Sequence, residues 1–215
     1  MALNKLKFSS INVTPVANQA IKFNSSANGF ETGSAGGAIT FIKKLTASSS
    51  STLSFVDGSS DVVLDNTYKE YLFIFNNIHP QTDAQKLTFQ GNASGGSGYN
   101  ETITSTFFRA YSEESGTTAL SYDTGGDQAQ GTSYQQISDS VGSDTDQCCS
   151  GFLHLFNPSS TTFVKHFIAR TNTYQSSDYS IDVFSSGYFN TTSAIDEIQF
   201  KMASGNIDSG TITLY

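Results

Sequence analysis

Residues 195–202 read Ile195-Asp196-Glu197-Ile198-Gln199-Phe200-Lys201-Met202, and their alternation decides the fold. Ile198, Phe200 and Met202 face one way, and Glu197, Gln199 and Lys201 face the other, because successive side chains of a strand point to opposite sides. One apolar row and one polar row describe an antiparallel strand with one face on a core and one in water. No stretch of the chain shows the i, i+3, i+4, i+7 apolar stripe, flanked by caps, that an amphipathic helix needs.

Working outward, period-two runs recur along the chain, separated by Gly, Ser, Asn and Asp clusters. They include "STLSFV", "YLFIFNNI", "KLTFQ", "ITSTFFRAY", "GFLHLF", "FVKHFIART", "YSIDVFSSGYFN" and the closing "TITLY". Such a series predicts an all-β, two-sheet antiparallel sandwich of the jelly-roll kind, with the last strand paired inside it. Asp57-Gly58 predicts a tight hairpin between "STLSFV" and "DVVL". The unbroken apolar run Tyr71–Phe75 predicts a strand covered on both faces. "GNASGGSGYN" reads as a flexible hairpin loop. "NPSSTT" reads as a second hairpin turn, setting His154 opposite His166. From Ser112 to Ser150 the chain is polar, and Leu120, Tyr122, Tyr134, Ile137 and Val141 stand out as its anchors.

The first 37 residues are thin in apolar side chains. Leu6, Phe8, Ile11, Val13, Val16, Ile21, Phe23 and Phe30 are spread too sparsely to form a core, so residues 1–37 read as an extended N-terminal docking arm. A small-residue hinge, "GSAGG", joins it to a body at 38–215. The arm's natural engagement is strand addition to a neighbour.

Composition excludes several functions. The net charge is −8 and the sequence pI about 4.6. Phosphate contacts need clustered Lys and Arg, and Lys43-Lys44 is the only basic pair, so nucleic acid is not a partner. No apolar run approaches the roughly 20 residues of a membrane span, so no membrane insertion is expected. The N-terminus lacks the apolar segment of a signal peptide, which predicts assembly in a cytoplasm. Cys148 and Cys149 are adjacent, a spacing that seldom reaches disulfide geometry. Charged residues make up 14%, against roughly 25% in an ordinary domain. Ser and Thr supply about a quarter of the chain. That weakly charged surface is associated with coat and extracellular-type β proteins.

No catalytic residue, metal ligand set or cofactor motif emerges, and the chain does not read as an enzyme. The histidines have no third ligand at metal spacing. Asp123-Thr124-Gly125 lacks the apolar lead-in and second copy of an aspartic-protease loop, so it reads as a turn. Asp57, Asp61 and Asp65, like Asp144 and Asp146, read as solvated turn residues without EF-hand spacing. Tyr99, Tyr122, Tyr134 and Tyr174, set among Ser, Asn and Gly, are candidate ligand-contact positions in loops, since Tyr gives contact area at low entropy cost. The competing reading is that each ring pins its loop to the body.

Four stretches, "LTASSSSTLSFVDG", "YKEYLFIFNNIHP", "FLHLFNPSSTTFVKHF" and "NTTSAIDEIQFKMASGNIDSGTITLY", resemble a family of virion-associated proteins found in marine bacteriophages. The resemblance spans roughly residues 39 to 215. "NQAIKFNSSANGFETGS" is similar to a segment that precedes globular modules in phage tail fibres. The resemblance implies a structural protein of the virion, either capsid-decorating or a short tail-fibre component. Other virion proteins and further copies of the chain would be its partners. The alternative is a carbohydrate-binding module that reads host-surface glycans.

Overall fold

The computed structural model describes residues 13–14, 20–33 and 39–215. Every regular element among them is a strand: β1 (Ala20–Phe23), β2 (Phe30–Gly33), β3 (Lys43–Thr46), β4 (Leu53–Val56), β5 (Glu70–Pro80), β6 (Leu87–Ala93), β7 (Ile103–Glu113), β8 (Thr118–Tyr122), β9 (Ala129–Gly131), β10 (Gln135–Gln136), β11 (Cys149–Phe156), β12 (Lys165–Gln175), β13 (Tyr179–Phe189), β14 (Ile195–Met202) and β15 (Ile207–Leu214). No helix among the described residues is long and apolar enough to cross a membrane.

The chain divides into two units, with the boundary in sequence after Thr40. In the first, β1 and β2 form an antiparallel hairpin with Phe23 opposite Phe30. Their rings stack at 5.0 Å, and Lys22 lies 3.4 Å from Glu31. The turn closes through Asn24, whose N–H donates to the Gly29 carbonyl at 2.9 Å. A hairpin therefore replaces the extended chain expected at Ile21, Phe23 and Phe30. The "NSSANG" turn signal between two short alternating runs accounts for it. Ile21, Phe23 and Phe30 remain exposed on it. Val13 is half-buried and outside any strand. Leu6, Phe8, Ile11, Val16 and most of the "GSAGG" hinge lie outside the described residues.

The second unit is a sandwich of two antiparallel sheets, as the alternation predicts. The smaller has the order β10-β6-β14-β4. The larger runs β3-β15-β5-β11-β12-β13-β7-β8, with β9 also beside β7. The sheets are thus of four and nine strands, where a jelly roll has two of four. β12 shows how sequence sets the faces. Lys165, Phe167, Ala169, Thr171 and Thr173 are buried, while His166, Ile168, Arg170 and Asn172 between them are exposed.

Aromatic rings from both sheets lock the layers together. Phe200 of β14 packs on Phe73 and Phe75 of β5, each at 5.3 Å between centroids. Phe55 of β4 meets Phe73 at 5.2 Å, and Phe89 of β6 meets Phe167 of β12 at 5.0 Å. Most of these contacts are edge-to-face, the geometry the ring quadrupole favours. Toward β7 a separate cluster forms around Phe107, Ile181 and Val183. There the segment 135–147 brings buried polar residues inside. Gln135, fully buried, donates to the Gly126 and Gln136 carbonyls at 2.8 and 2.9 Å and accepts from Ser105 Oγ at 2.7 Å. Ile137 and Val141 anchor this segment as expected, but Leu120 and Tyr122 are exposed.

Several local expectations are corrected. Asp57-Gly58 does make a turn, with Gly58 N–H donating to the Val62 carbonyl. Residues 61–64 do not continue as a strand, however. Val62 and Leu64 drop into the core instead, and Asp57 Oδ1 accepts the Leu64 N–H at 2.8 Å. The glycine-rich loop after β6 crosses between sheets, since β6 and β7 belong to different ones. In β5, Tyr71, Phe73 and Phe75 are buried but Leu72 and Ile74 only half so, because their side of the sheet is the open one. His154 pairs with Ile168, not with His166.

Candidate functional site

The open, outer face of the nine-stranded sheet carries the most organised surface chemistry. Strand register places its side chains in rows across the strands. One row runs Phe152 (β11), Arg170 (β12), Phe184 (β13), Phe108 (β7), Tyr122 (β8). The next runs His154, Ile168, Ser186, Thr106, and the third His166, Tyr188, Thr104. Rows two residues apart along a strand are separated by about 6.6–6.8 Å.

The first row is a ridge. Phe184 and Phe108 stack at 4.9 Å with ring planes 6° apart. The Arg170 guanidinium covers the free face of Phe184, 4.6 Å from its centroid. Asp182 holds that guanidinium with a fork: Nε donates to Oδ1 at 3.0 Å and an Nη to Oδ2 at 2.7 Å. This hydrogen bonding, then the Asp182 charge, raises the Arg170 pKa above its ordinary value. The planar fork also fixes the ring stack, because a stacked and bidentate guanidinium has little freedom left.

The third row is a second ridge, where His166 and Tyr188 meet edge-on at 5.9 Å. Between the ridges the middle row is low. Ser186 and Thr106 share a hydroxyl–hydroxyl contact of 3.0 Å beside Ile168. Beside the second ridge lies an open groove of about 470 Å³, lined by Thr106, Phe156, His166, Ile168, Ser186 and Tyr188, and the Arg170–Phe184–Phe108 ridge does not line it. The groove continues past Phe156 and His166 into a depression bounded by Phe163 and Thr192. Phe163 is 69% exposed. At the β11 end, His154 lies 3.2 Å from Glu70. Ring edges above a floor of hydroxyls, with the nearby charges paired off, suit a ligand that alternates C–H and O–H surfaces.

The four candidate tyrosines do not converge. Tyr122 stands at the end of the first ridge, on a strand rather than a loop, with its hydroxyl donating to Asp127. That hydrogen bond raises its pKa. Tyr174 is the penultimate residue of β12 and donates to Asp178 at 3.2 Å, which likewise raises its pKa. Tyr99 and Tyr134 lie on the smaller sheet instead. Tyr99 donates to Glu197 Oε2 at 2.7 Å. Burial and that hydrogen bond push its pKa up to about 12. Tyr134 donates to Gln199, and the Lys201 ammonium sits 4.1 Å over its ring. These two rings therefore lie over the polar row of β14 and pin their loops there.

A second cluster, Asn77, His79, Asp146, Cys148 and Asp208, borders a cleft at the end of β5. Burial, then the Asp146 charge, raises the Cys148 pKa, the reverse of an activated nucleophile. His79 reaches the Asp144 carbonyl at 3.2 Å. Among the described residues no group of three or more His, Cys, Asp or Glu is placed to hold a metal. Asp123-Thr124-Gly125 forms an Asx turn, with Gly125 N–H donating to Asp123 Oδ1 at 2.9 Å.

Fold and groove together define a class: a β-sandwich that exposes an aromatic-ridged sheet face. No protein-family model, curated protein or solved structure matches the chain.

The sequence points to tyrosines in loops and not to the ridge residues Phe108, Phe184, Arg170 and Tyr188, which sit inside strands. A signal existed. In "TFFRAY" one phenylalanine of the pair must face out if the other faces in. A three-residue turn at 176–178 pairs Arg170 with Phe184 by counting.

Proposed function

We propose that this chain is a non-enzymatic structural protein of a bacteriophage virion, displayed on the particle surface and anchored through residues 1–37. The sequence resemblance supports the particle. The observation that carries the geometric side is the division at Thr40–Phe41, which leaves a core-bearing sandwich as a unit apart from the N-terminal segment. Anchor and displayed body are then separate parts of one chain. Particles assembled with a chain lacking residues 1–37 test this. The reading expects incorporation to fall at least ~10-fold while the body still folds; unchanged incorporation overturns the anchoring role.

The groove favours a second, compatible reading, in which the displayed face binds a host-surface glycan. Tyr188 and Phe156 supply ring surface for sugar C–H groups, and Ser186, Thr106 and His166 supply hydrogen-bonding partners at its floor and wall. A glycan array probed with the full chain and with a Phe156→Ala, Tyr188→Ala double variant tests it. Binding should be lost in the variant and kept in Tyr134→Ala, whose ring sits on the other sheet.

A further inference from the structure

We propose that the free edge of β8 pairs with the same edge of a second copy of this chain, placing Leu120 on a two-fold axis. The inference is independent of where the protein resides.

Hydrogen-bond parity along β8 identifies the exposed groups. Glu113 N–H donates to the Thr117 carbonyl at 2.9 Å, and Asp123 N–H donates to the Phe107 carbonyl at 3.0 Å. Both pairs belong to the register that sets Ala110 opposite Leu120. In an antiparallel ladder, hydrogen-bonded pairs alternate with non-bonded pairs. Thr117, Ala119, Ser121 and Asp123 therefore bond to β7. Thr118, Leu120 and Tyr122 direct their N–H and C=O groups away from it. β8 ends the strand order, and among the described residues nothing pairs with that side.

The two ends of the large sheet are guarded differently. At one, β3 carries Lys43 and Lys44, the charge that discourages edge-to-edge pairing. At the other, "TALSY" has no charge and no proline, and its pairing with β7 shows no bulge. Its side chains are exposed on both faces, and Leu120 is 73% exposed. An unguarded, uncharged edge is a template for another strand.

The edge is complementary to itself. Pairing two copies antiparallel, Leu120 opposite Leu120 and Thr118 opposite Tyr122, makes every outward residue a hydrogen-bonding one on both sides. Every outward N–H and C=O then finds a partner, and the two Leu120 side chains cover each other on the same sheet face. A shift by one residue would oppose outward groups to inward ones and lose the ladder. The uncharged strand also brings no like charges together, and the symmetry closes at two copies.

Sedimentation of the full chain over a concentration series tests the pairing, alongside Leu120→Pro. The Leu120 N–H points outward, so proline there removes no bond to β7 and suits an edge strand. The wild type should sediment as a dimer that dissociates on dilution, and Leu120→Pro should weaken self-association at least ~10-fold. A second arm uses Leu120→Cys in a Cys148→Ser background. Bonded antiparallel partners lie about 5.5 Å apart at Cα with their Cβ atoms too far apart for a relaxed disulfide, so a short bis-maleimide should link two chains. Thr118→Cys, which faces Tyr122, should not link. A wild type that stays monomeric throughout, an oligomer untouched by Leu120→Pro, or no cross-link at position 120 overturns the proposal.

Discussion

Phe200 shows how much one residue of the alternating strand carries. It is fully buried, and its ring meets Phe55, Phe73, Phe75 and Phe89 from both sheets. Truncating it removes apolar burial and leaves a cavity between layers that cannot collapse freely. Phe200→Ala is expected to cost about 3–5 kcal/mol in chemical denaturation. Tyr134→Ala, which removes a loop pin on the outside of the same sheet, should cost much less. Titratable groups add a pH dependence with a definite sign. Burial pushes the pKa of Tyr71 up to about 12 from 10.0 and of Cys149 up to about 12 from 9.0, and Tyr99 rises to about 12 as well. These groups hold their protons more tightly in the folded chain. Their contribution is therefore full below pH 9 and is lost as pH rises to about 12. Lys165 acts in the opposite sense. It is buried with its ammonium donating to the Thr191 carbonyl at 3.1 Å, and desolvation lowers its pKa. Its penalty eases as pH approaches 10.5, but the buried acids outnumber it. Melting temperature should accordingly fall between pH 9 and 12; a flat or rising profile there would contradict these assignments.

Among the elements, β15 and β8 are the ones whose details the alternation does not reveal. The β15–β5 pairing shifts register around Ser209, and Gly210 takes φ +112° there. A Cβ on Gly210 would stand 2.4 Å from the Asn77 carbonyl oxygen. Gly210→Ala should therefore destabilise the fold by about 1–3 kcal/mol, read by thermal or urea unfolding. In β8 the two sides of the backbone are unequal. Ala119→Pro removes a bond to β7 and should lower the melting temperature clearly, where Leu120→Pro leaves it near the wild-type value. Equal effects at the two positions would refute the assigned hydrogen-bond parity. Strand existence was legible from period two at β7, β11, β12, β13, β14 and β15, and from an unbroken apolar run at β5. Strand partners were not. The "GNASGGSGYN" loop reads identically whether it closes a hairpin or crosses between sheets, because its composition reports flexibility and not destination. The second arm of the Asp57-Gly58 hairpin failed for a related reason. Val62 and Leu64 are needed in the core more than in a ladder, and sequence does not rank those demands. The groove was legible only after register, since a row across five strands has no signature within any one of them.

At the scale of the whole molecule, the core-bearing sandwich and the N-terminal hairpin are separate units. Every residue of the main core cluster lies at or beyond Ala47. Residues 39–215 alone are thus expected to melt at the full chain's temperature, and a large drop would show that the N-terminal segment contributes to the fold. The weak surface charge and the open aromatic face support the proposed reading of a body that meets other surfaces. The most direct measurement of the virion reading is made on purified phage particles. Mass spectrometry should detect this chain in them at many copies per particle, and antibodies against the Phe108–Phe184 face should decorate intact particles. Particles free of the chain, or carrying it only where antibodies cannot reach before disruption, would contradict the proposed role.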